Sequence, residues 1–328
     1  LIYGLLHLTG YDLSIQDLKD FRQLHSKTAG HPEFGITPGV ETTTGPLGQG
    51  ISNAVGMAIA EKVLASKFNT DEYKIIDHMT YVFTGDGCLM EGISHEACSL
   101  AGTLGLGNLV ILYDDNDISI DGKVEGWFTE DIPERFRSYG WDVIPNIDGH
   151  NTDEIDRAIQ KAKSNTKKPS LICCKTIIGR GSPNMAGTAT AHGAIVNPDE
   201  IALIRKELNW ENEPFDIPEE VYRDWDATDL GNSKEEKWEK TFEEYAQQNP
   251  ELSRELKRLI SGDLPDGIED SIYSFIDETQ KDLPNMATRV SSQKVLNVLG
   301  PLIPELLGGS ADLTGSNNTN WDGTKEIR

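Results

Sequence analysis

The alternation of strand-like and helix-like segments between residues 80 and 178 predicts an α/β fold: a doubly wound, mainly parallel sheet with helices on both faces. Three observations carry it. Two short apolar runs, Thr80-Tyr81-Val82-Phe83-Thr84 and Leu109-Val110-Ile111-Leu112-Tyr113, read as buried strands. Apolar residues recur at helical spacing from Gly48 to Ser66 and again from Gly92 to Gly105, where a glycine ends the pattern as it ends many helices. Taken whole, the order from Thr80 reads β, α, β, α, β, α, β.

The elements follow in order. Leu1 to Leu8 reads as a helix already under way, without an initiator methionine or a signal peptide's basic start, so a segment of a longer chain is expected. After the two strands comes a third, Trp141 to Ile147, then a helix opening at Asn151 with Glu154 three positions on as a capping box, and a strand from Ser170 to Ile178. Beyond Pro198 the pattern is helical. From Asn212 through Asp282 it becomes strongly charged and is interrupted by Pro214, Pro218, Pro250, Pro265 and Pro284, which describes a solvated helical connector. From Arg289 an apolar periodicity running into Gly308-Gly309-Ser310 predicts a helix feeding a short strand and loop, the start of a second, partial α/β domain. No internal repeat or low-complexity tract interrupts this order.

The 328 residues, 37% hydrophobic and 26% charged, suffice for one large domain and part of a second. No apolar run approaches the ~18 residues that span a bilayer, so no membrane partner is expected. The net charge of −24, from 54 acidic and 30 basic residues, repels phosphate backbones, and no basic patch offsets it, which argues against a nucleic-acid partner. The stretch from Glu211 to Asp282 alone contributes −14 of that charge, leaving the strand-rich part far less acidic. Cys88, Cys98, Cys173 and Cys174 show no C-x-x-C spacing and read as reduced thiols of a cytoplasmic protein.

The chemistry gathers where strands end. Gly85-Asp86-Gly87 follows the first strand and Asn116 follows the second, thirty-one positions after Gly85. In an open parallel sheet, ligands bind outside the carboxyl ends of the strands, so these two loops can converge on one ligand. Asp86 and Asn116 offer hard oxygen donors of the kind Mg²⁺ or Ca²⁺ prefers, with coordination positions left for diphosphate oxygens. Either signal alone is better explained as a turn, with Asn116 as its left-handed residue; the pairing after two strands favours a metal and diphosphate site. Thr42 to Gly50 forms a glycine-rich loop before a helix, suited to an anion or a flat cofactor, though it lacks the lysine of a Walker loop. His31 and His192 lie in glycine-rich loops where an imidazole can donate to sugar oxygens or shuttle protons, whereas His7, His25, His78 and His95 have structural contexts. Glu91 is accounted for as acid near a helix start. Arg180 and Arg289 are candidate phosphate partners.

Gly45-Pro46-Leu47-Gly48-Gln49-Gly50, the run from Gly85 to Glu96, Asp114 to Asp121 and Gly308-Gly309-Ser310-Ala311-Asp312-Leu313 together resemble transketolase, a thiamine diphosphate-dependent family, over essentially the whole chain. The resemblance implies the thiamine diphosphate-binding fold, with a diphosphate-binding domain over residues 1–253, a linker over 254–285 and the beginning of a pyrimidine-binding domain over 286–328. It implies transfer of a two-carbon ketol unit between sugar phosphates in the pentose phosphate pathway, from a ketose such as xylulose 5-phosphate to an aldose such as ribose 5-phosphate. In this reading Asp86, Asn116 and the Ile118 carbonyl hold Mg²⁺ or Ca²⁺. Gly87 lies against the diphosphate, Gly45 and Leu47 near the cofactor rings, and Asp312 near the cofactor. His31 and His192 face the substrate and the cofactor's reactive carbon. Arg289 and Ser316 match binders of the sugar phosphate. Glu91 and Glu96 resemble carboxylates that link two active sites across a homodimer. The family's N-terminal substrate histidines fall before Leu1 and its cofactor-activating glutamate falls beyond Arg328, while Ala29 and Ile195 stand where the family usually has proline. Another thiamine-dependent ketol transferase, of the dihydroxyacetone synthase or deoxyxylulose phosphate synthase type, is the nearest alternative; a cofactor-binding module without catalysis is the other.

Overall fold

A computed structural model describes residues 1–193, 197–310 and 312–326, in two compact units, Leu1–Trp238 and Glu239–Arg328. Ile195 and Ala311 lie outside the described residues. The first unit begins with helices α1 (Ile2–Leu8), α2 (Ile15–Lys19) and α3 (Gln49–Phe68), then strand β1 (Thr80–Gly85), helices α4 (Asp86–Met90) and α5 (Gly92–Thr103), and strand β2 (Leu109–Asp115). A two-stranded hairpin, β3 (Ile118–Ser119) and β4 (Gly122–Lys123), follows. Then come α6 (Ile132–Ser138), β5 (Asp142–Asp148), α7 (Thr152–Ser164) and β6 (Ser170–Lys175). A 3₁₀ turn at Ala189–His192, α8 (Pro198–Glu207), α9 (Glu219–Trp225) and α10 (Thr228–Gln248) complete the series.

The main sheet has the order β1-β2-β6-β5 and every pairing in it is parallel, so the expected α/β class with helices on both faces is what forms. Its two faces follow from the two-residue period of the strands. Leu109, Ile111 and Tyr113 of β2 and Leu171 and Cys173 of β6 join Ile51, Ala54, Val55 and Ala58 of α3, Cys98 and Ala101 of α5 and Phe136 of α6 in one core. Val110 and Leu112, with Ile172 and Cys174, point the other way and pack with Ala158 and Ala162 of α7. Strands apolar on both faces belong in the middle of a parallel sheet, and β2 and β6 occupy the middle.

Three local expectations are corrected. Asn151 does cap α7, accepting from the Asp153 and Glu154 amides at 3.1 and 3.3 Å, but Glu154 reaches the Asp148 amide at 3.0 Å instead of closing a box on Asn151. The Asn151 amide is already committed to the Asp148 carbonyl, at 3.0 Å. The last strand stops at Lys175 and not at Ile178, because β2 ends at Asp115 and the chain turns away through Asp117, whose φ is 60°. Past Lys175 the Thr176 amide makes one more bond to the Asp115 carbonyl at 3.2 Å, and the Ile177 amide already donates to His150 Nε2 at 2.9 Å.

In the second unit α11 (Pro250–Ser261), α12 (Ile268–Asp282), α13 (Thr288–Leu299) and α14 (Thr314–Asn317) follow one another, and among the described residues no strand succeeds α13. Pro301 and Pro304 have no amide to give a ladder, and the Leu302 and Ile303 amides fold back onto the Leu299 carbonyl at 3.0 and 2.9 Å.

One close approach shows how tightly α5 is seated. A Cβ on Gly102 would stand 1.8 Å from the Tyr139 carbonyl oxygen, beside Trp141, whose indole Nε1 donates to the Cys98 carbonyl at 2.8 Å. Gly102→Ala must therefore push α5 off the turn before β5. It is expected to destabilise the protein by ~3 kcal/mol, the upper end of overpacking effects. Urea unfolding measures this, and a loss under ~1 kcal/mol would show the contact to be soft.

Candidate cofactor and metal site

The carboxyl ends of β1 and β2 place Asp86 and Asn116. Asp86 opens α4 directly after β1, and its side chain is turned inward, only 3% exposed. The Tyr113 hydroxyl, from the adjacent strand, donates to Asp86 Oδ1 at 2.5 Å, while Oδ2 is buried with no hydrogen-bond partner among the described residues. Burial pushes this carboxyl above the usual range, the Tyr113 bond opposes that shift, and Asp115, Asp117 and Asp114 add to it. Burial likewise drives the Tyr113 hydroxyl upward, so it stays a donor. A bare buried carboxylate oxygen costs roughly 1–3 kcal/mol, more when charged, and calls for an explanation. A hard cation is the direct complement of such an atom.

Asn116 forms an Asx turn: its Oδ1 accepts from the Ile118 amide and its Nδ2 donates to Asp114, both at 3.0 Å. The left-handed residue of this loop is Asp117, not Asn116. One lone pair of Asn116 Oδ1 remains for another donor or a cation. The Ile118 amide is thereby tied to Asn116, and Asn116 and Ile118 line one cleft of about 570 Å³ with Lys123, Phe128 and Gly187. Strand β3, which carries Ile118, lies against both α4 and the 3₁₀ turn that carries His192. The structure thus gathers Asp86, Ile118 and His192 at one end of the sheet. Among the described residues no cluster of three His, Cys, Asp or Glu side chains is placed to hold a metal; one carboxylate, one amide and one carbonyl is a different donor set.

The glycine-rich loop crosses the same region. A Cβ on Gly48, whose φ is +81°, would meet Ile93 Cγ2 at 2.7 Å and Glu91 Cβ at 3.1 Å, so only glycine lets the loop lie this close to α5. From Gly87 a Cβ would reach Leu47 Cδ1 at 3.4 Å, and from Gly45 it would reach the His31 ring at 3.4 Å. Gly45, Leu47, Gly87 and His31 are therefore neighbours, with His31 exposed at the rim. The Glu91 and Glu96 side chains are exposed in this chain. Arg289 on α13, Asp312 with φ +57°, and Ser316 on α14 are exposed residues of the second unit. Arg180 is exposed on the loop after β6. The cysteines are free thiols, and burial pushes Cys98 and Cys173 up to about 12, which leaves neither a nucleophile.

The loop leading to His192 is built around a carboxylate that the sequence did not single out. Glu200, buried in the first turn of α8, accepts from the Ser182 hydroxyl, from the Asn184 amide at 3.0 Å and from Asn184 Nδ2 at 2.8 Å. The side-chain bonds from Ser182 and Asn184, then the Asn184 amide, hold this carboxyl below its usual range. A lowered folded value means the charged form stabilises the loop above the ordinary glutamate pKa, near 4.3, and that this contribution is lost as pH falls through the lower folded value. Glu200→Gln is thus expected to melt below the wild type at neutral pH, with the gap closing below about pH 4. Thermal unfolding across pH checks it, and a constant gap would count against the clamp.

A parallel α/β sheet that assembles a half-partnered carboxylate, an Asx-turned amide and close-lying glycines at its carboxyl end defines a cofactor-binding α/β protein. Residues 1–265 match the family model described as transketolase, thiamine diphosphate binding domain. The chain belongs to the transketolase family. It is 59% identical over 327 residues to transketolase 2 of Vibrio parahaemolyticus, covering 100% of this chain and 49% of that one, and 59% identical over the same length to transketolase 1 of Aliivibrio fischeri, with the same coverage. A Pichia stipitis transketolase solved with xylulose 5-phosphate superposes with a TM-score of 0.90 at 45% identity, over 99% of this chain and 48% of that chain. Leishmania mexicana transketolase gives 0.88 at 42% identity, over 97% and 47%. The chain spans about half the length of the curated relatives it matches.

Proposed function

We propose that this chain supplies the metal- and diphosphate-binding half of a transketolase that moves a two-carbon ketol unit from a ketose phosphate to an aldose phosphate, as in the pentose phosphate pathway. The observation that carries it is Asp86, a buried carboxylate with one oxygen held by Tyr113 and the other bare. A divalent cation, Mg²⁺ or Ca²⁺, completes that oxygen, with Asn116 Oδ1 and the Ile118 carbonyl as its other protein donors. Gly87 and Leu47 line the approach for the diphosphate, and Gly45 with His192 and Asp312 border the rest of thiamine diphosphate. The bound cofactor supplies the electron sink that makes the ketol carbon transferable.

The chain's own groups bind and orient. His31 and His192 offer ring nitrogens to the sugar hydroxyls and carbonyl oxygen and move protons there. Arg289 and Ser316 take the sugar phosphate, the guanidinium pairing with its oxygens. Structures of the Pichia stipitis enzyme with xylulose 5-phosphate, fructose 6-phosphate and sedoheptulose 7-phosphate support substrates of this class. Residues 1–253 act as the diphosphate-binding domain, 254–285 as linker and 286–328 as the start of the pyrimidine-binding domain. The protein works in the cytoplasm as a homodimer, in which the exposed Glu91 and Glu96 meet the partner. Among the described residues no helix is long and apolar enough to cross a membrane.

Calorimetry with thiamine diphosphate and Mg²⁺ tests binding, and an assay with xylulose 5-phosphate and ribose 5-phosphate tests turnover. Metal-dependent cofactor binding and formation of sedoheptulose 7-phosphate are expected. Absence of the first removes the site, and absence of the second, with the first intact, removes transketolase.

A further inference from the structure

Two separate segments must be held at a fixed spacing for a cation to bridge them: α4, which carries Asp86, and the loop from Asn116 through Thr129, which carries Ile118. A single side chain on α6 touches both. The Arg135 guanidinium, only 11% exposed, donates from Nη2 to the Leu89 carbonyl at 3.2 Å, three residues along α4 from Asp86. From Nη1 it donates to Glu130 at 2.5 Å and to His95 Nε2 at 3.2 Å. Its plane stands over the Phe128 ring, 5.7 Å from the centroid, and Phe128 lines the cleft shared with Asn116 and Ile118.

Each contact fixes a particular degree of freedom. The carbonyls at the carboxyl end of a helix lack intrahelical partners. At the end of α4, Ser94 Oγ donates to Cys88 O at 2.5 Å and Arg135 donates to Leu89 O, so the short helix cannot slide on β1. On the other side, backbone bonds from Val124 to Asp117 at 3.1 Å and from Phe128 to Val124 at 2.9 Å make residues 117–128 one compact loop. Arg135 meets its far end at Phe128 and the chain just beyond it at Glu130. His95 adds orientation: guanidinium only donates, so His95 Nε2 accepts, and Nδ1 carries the proton and donates to the Tyr139 hydroxyl at 2.9 Å. The arrangement also carries a cost, since Arg135 Nε is buried without a partner among the described residues. A local cost kept in place marks a constraint other than stability.

We infer that Arg135 is a positioning residue that sets the separation between Asp86 and the Asn116–Ile118 donors, so that a divalent cation finds its oxygens at bonding distance. The inference rests on the metal reading of the site. Magnesium demands near-ideal octahedral geometry at ~2.1 Å, so a spacing relaxed by a fraction of an ångström is felt as lost affinity. Lysine keeps the charge but not the planar fork that serves Leu89, His95 and Glu130 together.

The test is Mg²⁺ titration by calorimetry in the presence of a fixed excess of thiamine diphosphate, beside thermal unfolding of the metal-free protein. Arg135→Lys is expected to raise the Mg²⁺ dissociation constant ~10-fold or more, as loss of an outer-shell partner does, with the metal-free midpoint near the wild type. Glu130→Gln, at the exposed end of the same contact, is expected to move affinity in the same direction by less and keeps the test valid if the lysine variant does not fold. Wild-type affinity in whichever of these variants folds overturns the positioning role while leaving the metal reading standing. A wild type that takes up no Mg²⁺ overturns both. A fall in affinity matched by a large fall in the metal-free midpoint also overturns it, since Arg135 would then be a structural arginine.

Discussion

Asp86→Asn is expected to weaken Mg²⁺-dependent binding of thiamine diphosphate by more than ~100-fold, beyond the 10- to 100-fold typical of outer-shell changes, while the metal-free protein becomes no less stable. Both halves follow from one geometry. Asp86 is 3% exposed, and its Oδ2 has no partner among the described residues, so without a cation the folded chain bears an uncompensated buried oxygen. Removing its charge returns the part of its cost that comes from burying an ion, while the new Nδ2 takes the same unpartnered place. Asparagine has the same shape and can still accept from the Tyr113 hydroxyl, so packing is kept and only the charge is lost. Calorimetry of binding and thermal unfolding without metal separate the two effects. If binding persisted and the metal-free protein lost stability, Asp86 would be a structural carboxylate and the site would lie elsewhere. A residue that weakens the empty fold and strengthens the loaded one is the trade expected of a binding site.

The parts of this arrangement that could be read from the chain are those encoded in local pattern. β2 is apolar on both faces, and that alone places Leu109–Asp115 inside a parallel sheet. Asn151 before an amphipathic run marks the start of α7 for the same local reason. That Gly85-Asp86-Gly87 and Asn116 fall at strand ends was legible because each follows a short apolar run. What was not legible depends on partners far apart in sequence. Tyr113 reads as the last apolar residue of a strand, and nothing in its neighbourhood announces that its hydroxyl meets Asp86, 27 residues earlier. Its one signal is a polar tip on an inward face where the strand ends. Arg135 meets Leu89 from 46 residues away, and Glu200 meets Ser182 from 18. Periodicity reports which face a residue takes, not what stands opposite. The strand expected after α13 failed for a related reason: an apolar run with Pro301 and Pro304 has the composition of a strand without its donors.

The same distinction between what holds a loop and what the loop presents governs the expectation for the two histidines. Replacing His31 or His192 with alanine is expected to lower kcat for ketol transfer by ~10²–10⁴-fold, the usual worth of a positioned proton donor or acceptor, with little change in thiamine diphosphate affinity. Among the described residues neither imidazole makes a hydrogen bond that holds its loop. Around His31 the backbone is fixed from elsewhere: the Tyr3 hydroxyl donates to Ala29 O at 2.7 Å, the Thr28 hydroxyl to Asp17 O at 2.6 Å, and the Phe34 amide to Thr43 Oγ1 at 3.0 Å. Pro32 also disfavours the helical region for the His31 backbone. The turn bearing His192 follows a loop clamped by Glu200 on Ser182 and Asn184, and the Gly187 amide returns to Ile178 O at 2.9 Å. Both residues are exposed, which leaves the rings open to a ligand. Steady-state kinetics paired with binding calorimetry decides the matter: a fall in kcat at constant affinity identifies groups that act on the reacting sugar, whereas equal losses in both would make the histidines cofactor anchors instead. His192 is the sharper case, because the turn that carries it lies against the strand of Ile118, one of the proposed metal donors.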